Sequence, residues 1–172
     1  MNTKRLASLA MLIAIYCVLS ILTPIKLINF KFTFEAFPIL VASLFLGPID
    51  GLIVGGIGSF IYQLLFSGYG ITATTILWIL PHAISGLVVG IYAKNKNFNL
   101  NYKQICFICI VSALLVTTFN SLALYVDSKL YGYYSYTLVF GSITIKVITG
   151  SILSIVYCGV LPKLISFLKK KI

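Results

Sequence analysis

The chain has 172 residues, 60% of them hydrophobic, with thirteen Lys/Arg against three Asp/Glu and a formal net charge of +10. A mean hydropathy of +1.07 cannot be hidden inside a soluble fold of this size, so a water-soluble globular domain is excluded. The basic residues flank apolar runs, where anionic lipid head groups lie, so the charge implies no nucleic-acid partner.

A bilayer core about 30 Å thick needs roughly 20 apolar residues per helical crossing. Six spans fit, in one transmembrane domain covering residues 1–172: Leu6 to Thr23, Glu35 to Leu46, Gly51 to Phe66, Thr72 to Ala93, Ile105 to Val126 and Ser142 to Phe167. The expected fold is an all-α six-helix membrane bundle.

The first span opens after Arg5, is long for a signal-peptide core, and shows no small-x-small cleavage pattern before Thr23-Pro24. It reads as a permanent helix. Ala10-Met11-Leu12-Ile13-Ala14 gives it a small-x-x-x-small spacing that suits close helix packing, within the chain or against another subunit. From Pro24 to Phe34 the residues are β-branched and aromatic and alternate in the second half, which predicts a short strand or ordered lid.

The second span is short for a full crossing. Gly47-Pro48 ends it, and Asp50 is placed to cap the third. Gly47, Gly51 and Gly55 recur every four residues and make a smooth ridge, as do Gly86 and Gly90 on the fourth span. The connection from Lys94 to Lys103 is polar and Asn-rich. The one from Tyr125 to Tyr136 carries five tyrosines, Asp127 and Lys129, and reads as an aromatic belt or a binding lid. Cys17, Cys106, Cys109 and Cys158 fall within spans and read as packing residues, with no disulfide and no metal site.

Lysine and arginine are retained on the cytoplasmic side. With both termini inside, Lys4, Arg5, Lys94, Lys96, Lys103, Lys163 and Lys169 to Lys171 are cytoplasmic, and Lys26, Lys31 and Lys129 are outside. Nine against three favours N-in and C-in for a multi-pass cell-membrane protein.

Ionisable and amide groups within spans are expensive, and so are candidates for function. Glu35 opens the second span, Trp78 lies one turn outward of His82 on the fourth, Asn120 and Gln63 lie in the outer halves of the fifth and third, and Lys146 enters the outer third of the sixth. Glu35, Trp78, His82, Asn120 and Lys146 are the candidate ligand residues. Trp78 would stack a flat ring, and His82 and Asn120 would hydrogen-bond its edge. Lys146 would pair with an anionic group of the ligand or with Glu35. His82 has a second reading, satisfying backbone groups that Pro81 frees.

No carboxylate pair, nucleophile–base arrangement, metal-ligand cluster or phosphate-binding glycine loop is visible, so neither catalysis nor a cofactor is expected. An intramembrane enzyme built on His82 and a stand-alone secondary carrier are the rival readings. A carrier would need an ion-coupling acid at midplane, and none is predicted there.

A small six-span chain with a short second helix, a lid after the first and no ATP site resembles the substrate-binding S components of energy-coupling-factor (ECF) vitamin transporters. The likeness covers nearly the whole chain. Phe34-Glu35-Ala36-Phe37-Pro38-Ile39 and Leu46-Gly47-Pro48-Ile49-Asp50-Gly51 are similar to the Phe-x-x-x-Pro-Ile and Phe-Gly-Pro-x-x-Gly elements of folate-type members. Gly70 to His82 departs from the Tyr-x-Pro-Gly-x-Thr-Leu pattern of those members. The resemblance therefore implies a folate-type ligand or, in a sibling branch, a cobalamin-precursor-like aromatic compound. It further implies that Ala10 and Ala14 dock against a transmembrane T subunit, with two ATPase subunits completing the complex.

Overall fold

The structure is a computed structural model that describes residues 3–22, 25–27, 30–32, 34–68 and 70–170. The six apolar runs become six helices: α1 (Thr3–Leu22), α2 (Ala36–Phe45), α3 (Pro48–Leu65), α4 (Thr75–Asn95), α5 (Tyr102–Leu130) and α6 (Tyr136–Lys170). Between α1 and α2, β1 (Ile25–Leu27) and β2 (Phe30–Phe32) pair antiparallel, with Ile25 opposite Phe32 and Leu27 opposite Phe30. The strand expected in this segment is thus a two-stranded ribbon, and β2 lies against α6. Pro24, Ile28, Asn29 and Thr33 of the expected lid, and Thr23 at the expected end of the first span, lie outside the described residues.

Among the described residues five helices are long and apolar enough to cross a membrane, and α2, with 10 residues, is not. Large apolar side chains such as Met11, Ile76, Phe107 and Ile155 stand more than half exposed on the bundle's outside. A surface of that kind is stable in lipid rather than water.

Successive helices run in opposite directions, so the ribbon and the α3–α4 and α5–α6 connections share one end of the bundle, the ribbon end. Arg5 meets Asp50 at the other end. There Arg5 Nη2 donates to Asp50 Oδ2 at 2.6 Å and Nε reaches both carboxylate oxygens at 3.0 and 3.1 Å. Asp50 is 1% exposed. It does not cap α3 as expected. Gly47, at φ 121°, is the N-cap and no side chain bonds there. Asp50 sits in the first helical turn, where its charge faces the positive end of the helix dipole and Arg5 supplies a forked donor.

The core is organised by α3 against α4, and the glycines explain why. A Cβ on Gly51 would lie 2.6 Å from the Gly86 carbonyl oxygen, and one on Gly90 would lie 2.6 Å from Pro48 N. A Cβ on Gly55 would run into the His82 carbonyl. The two ridges seen in the sequence therefore face each other backbone to backbone within the chain. Ser43 locks α2 into the same seam, donating from Oγ to the carbonyls of Ile39 (2.7 Å) and Gly86 (2.8 Å).

α5 and α6 extend beyond the apolar runs that predicted them. Much of the tyrosine-rich connection is helical, which leaves Tyr131 to Ser135 as the turn. Asn101 and Gln104 form a capping box that starts α5 ahead of Ile105. All four cysteines are free thiols.

Candidate functional site

Because α2 has only 10 residues, it spans roughly 15 Å and begins deep inside the bundle. Glu35 is the N-cap of α2 and stands at the start of its first turn. Ser20 of α1 donates to Glu35 Oε2 at 3.1 Å, and His82 Nε2 of α4 stands 3.8 Å from Glu35 Oε1. The buried Tyr16 ring packs edge-on to His82 with centroids 5.9 Å apart. A Cβ on Gly58 would strike Tyr16, so the absent side chain makes room for the ring. Glu35 and His82 are brought together as the sequence suggested, and Tyr16 and Ser20 complete a polar floor that it did not reveal.

Two contacts fix the depth of everything above. Ser85 Oγ and Ser112 Oγ hydrogen-bond at 2.7 Å across α4 and α5, and both serines are buried. Trp78 and Asn120 lie seven and eight residues outward of that pair, about 10–12 Å along their helices. They therefore share a level. A Cβ on Gly150 of α6 would lie 3.6 Å from Ala113 Cβ and from Thr117 Oγ1 of α5, so Lys146, one turn outward on α6, comes to the level of Asn120.

Trp78 lies on the same stripe of α4 as Thr75, His82, Ser85 and Val89. These four are buried, whereas Trp78 is half-buried. Trp78 is thus the least covered of the five. Asn120 Oδ1 is buried with no hydrogen-bond partner among the described residues. A buried amide oxygen left unmade costs on the order of 1–3 kcal/mol, so this position suits a donor brought by a ligand.

Lys146 is half-buried, and among the described residues no ion pair joins it to Glu35, the pairing held open from sequence. Glu35 sits one turn deeper, on Ser20 and His82. Deeper still on the α6 side, Tyr157 packs against Phe34 and Phe37 (centroids 6.5 and 6.2 Å away), and its buried hydroxyl has no hydrogen-bond partner among the described residues. The signal for Tyr16 and Tyr157 in the sequence was a phenol in mid-span, away from the interfaces where tyrosine usually sits. Ala10 and Ala14 are exposed on the outward side of α1, apart from the cup.

A cup at this place would combine the Trp78 ring, the unmatched Asn120 amide oxygen and Lys146 above the Glu35–His82 pair, a set of groups that suits a small polar aromatic molecule. Among the described residues no group of three or more His, Cys, Asp or Glu is placed to hold a metal ion.

Comparison with known proteins gives a consistent picture. The family model for the substrate-specific component of ECF transporters matches residues 4–161. No curated protein matches. Among solved structures, the S component of a bacterial ECF transporter superposes with a TM-score of 0.75 at 28% identity, covering 98% of this chain and 99% of its own. FolT bound with folic acid gives 0.71 at 22% identity, covering 95% and 98%. The S component for biotin from an ECF-type ABC transporter gives 0.63 at 17% identity, covering 94% and 95%. At those identities the last two show the shared fold.

Proposed function

The chain belongs to the substrate-specific components of ECF transporters, and from that premise we propose that its cup captures a small, flat vitamin or vitamin precursor at the ribbon end. It is a membrane-embedded binding subunit and not an enzyme. The observation that carries the proposal is Asn120 Oδ1, buried and unmatched at the depth of half-buried Trp78 and of Lys146. Trp78 stacks a ring, Asn120 and His82 bond its polar edge, and Lys146 faces an anionic substituent. Glu35 is held one turn below by Ser20 and His82, where it bonds donors on the deep edge of the ring.

With both termini inside, as the lysine and arginine distribution favours, the ribbon end faces the exterior and the cup loads from outside. The ligand is a folate-type or a cobalamin-precursor-like aromatic compound. Emptying the cup inward needs energy from other chains, namely a T subunit and two ATPase subunits. The exposed Ala10 and Ala14 on α1 offer the T subunit a smooth contact.

The test is to identify by mass spectrometry the small molecule that copurifies with the detergent-solubilised chain, then to titrate it into Trp78→Ala and Asn120→Ala. Each should bind at least tenfold more weakly while remaining monodisperse and folded. Unchanged affinity in both variants refutes this pocket.

A further inference from the structure

At the ribbon end, above the cup, Asp127 in the last turn of α5 joins two parts of the chain that lie far apart in sequence. Thr74, 2% exposed and at the N-cap of α4, donates its hydroxyl to Asp127 Oδ1 across a separation of 53 residues. Tyr133, within the α5–α6 turn, donates its hydroxyl to Oδ2 of the same carboxylate. Both oxygens are thus engaged, one by the wall that carries Trp78 and one by the turn.

The turn is itself a braced plate. Gly132 takes φ 76°, which lets Tyr133 N–H reach back to the Ser128 carbonyl at 3.0 Å. Lys129 Nζ stands 3.9 Å from the centre of the Tyr134 ring, and Tyr134 meets Tyr125 edge-on with centroids 5.7 Å apart. On the α4 side, Thr72 Oγ1 bonds Thr74 Oγ1 at 3.1 Å and Thr72 N–H bonds Thr75 Oγ1 at 2.8 Å. Each side is thus internally braced, and the carboxylate of Asp127 is a hydrogen-bonded link between them. Trp78 lies one turn below Thr74 on α4, so whatever closes over Thr74 shades the indole.

We propose that Asp127 is a latch: it fastens the α5–α6 turn to the end of α4 and so shuts the mouth above Trp78. It acts by positioning the turn and does not itself touch the cup's contents. A carboxylate held, among the described residues, by two hydroxyls at the end of the bundle where water competes for it can open and reclose. The consequence for uptake rests on the cup being the ligand site, but the latch is testable without any ligand.

Trp78 is the single tryptophan of the chain and reports on its own shielding. The experiment measures acrylamide quenching of tryptophan fluorescence in the full-length protein in detergent after exhaustive buffer exchange, for wild type, Asp127→Asn, Thr74→Val and Tyr133→Phe. Lys163→Gln, on the exposed surface of α6, is the control. The Stern–Volmer constant should rise at least twofold in Asp127→Asn and Thr74→Val, rise less in Tyr133→Phe and stay unchanged in Lys163→Gln. Thr74→Val keeps the side chain's shape, so it decides the matter if Asp127→Asn does not fold.

Unchanged quenching in Thr74→Val and in whichever Asp127 variant folds overturns the latch, as does an equal rise in the control. Raised quenching together with unaltered ligand affinity in Trp78→Ala and Asn120→Ala leaves the latch standing and removes the pocket instead.

Discussion

Replacing Gly86 by alanine puts the α3–α4 seam to a direct test. The new Cβ lands on the carbonyl of Gly51 and within 3.0 Å of Ile39 Cγ2. Regaining ordinary contact at about 3.4 Å requires α3 and α4 to part by roughly 1 Å, and a gap of that size forfeits a quarter to a half of each dispersion contact around it. Overpacking costs about 1–3 kcal/mol. Backbone atoms must yield here, so the upper end, about 3 kcal/mol, is the relevant one. Alanine's better helix propensity returns about 1 kcal/mol, leaving a net loss of about 2 kcal/mol.

Gly56→Ala is the matched comparison. Its Cβ would meet Ala83 Cβ at 3.6 Å, an ordinary contact, so the variant keeps the seam and gains up to about 1 kcal/mol. The two variants should differ by about 3 kcal/mol, or roughly 6–12 °C in melting midpoint for a chain of this size. Retention of the monodisperse peak in size-exclusion chromatography after a heating series measures the difference. Equal midpoints, or a more stable Gly86→Ala, would refute backbone-to-backbone packing in this seam.

Two further outcomes follow from named contacts. Arg5→Gln should lower the melting midpoint more than Asp50→Asn does, because the first strands a buried carboxylate whereas the second returns Arg5 to its half-exposed position; a larger loss in Asp50→Asn would contradict this, and the same heating series decides it. Ser85→Ala and Ser112→Ala should each cost about 1 kcal/mol, with the double variant costing less than their sum because the second change removes the stranded hydroxyl; strict additivity in thermal unfolding would show that the bond contributes nothing.

The helices were legible because lipid imposes a coarse rule: apolar runs interrupted by Lys, Gly-Pro or Asn clusters give their number and order directly. The glycine ridges were legible too, since spacing alone places Gly51 and Gly55 on one face. Their partners were not, because which two ridges meet is decided in three dimensions. Asp50 shows the same limit. Its position before an apolar run suggested a cap, but Arg5, 45 residues away, claims the carboxylate first. The site candidates Glu35, Trp78, His82, Asn120 and Lys146 stood out as polar or aromatic groups in expensive surroundings. Ser20, Ser85 and Ser112 did not, because serines in spans commonly bond their own helix backbone, as Ser59 and Ser154 do here. The link from Thr74 to Asp127 joins residues 53 positions apart and leaves no trace in local sequence.

The unequal lengths of the helices set how this protein stands in its bilayer. α1 and α3, with 20 and 18 residues, reach about 27–30 Å, whereas α6, with 35, reaches roughly 52 Å. A hydrocarbon slab near 30 Å suits the first pair and is exceeded by the last, so α6 leans, thickens the lipid around it, or carries its lysine-bearing end from Lys163 onward past the slab. One flank of the molecule is thus matched to the surrounding bilayer and the other is not, and changing the acyl-chain length of the host lipids acts on the two flanks unequally.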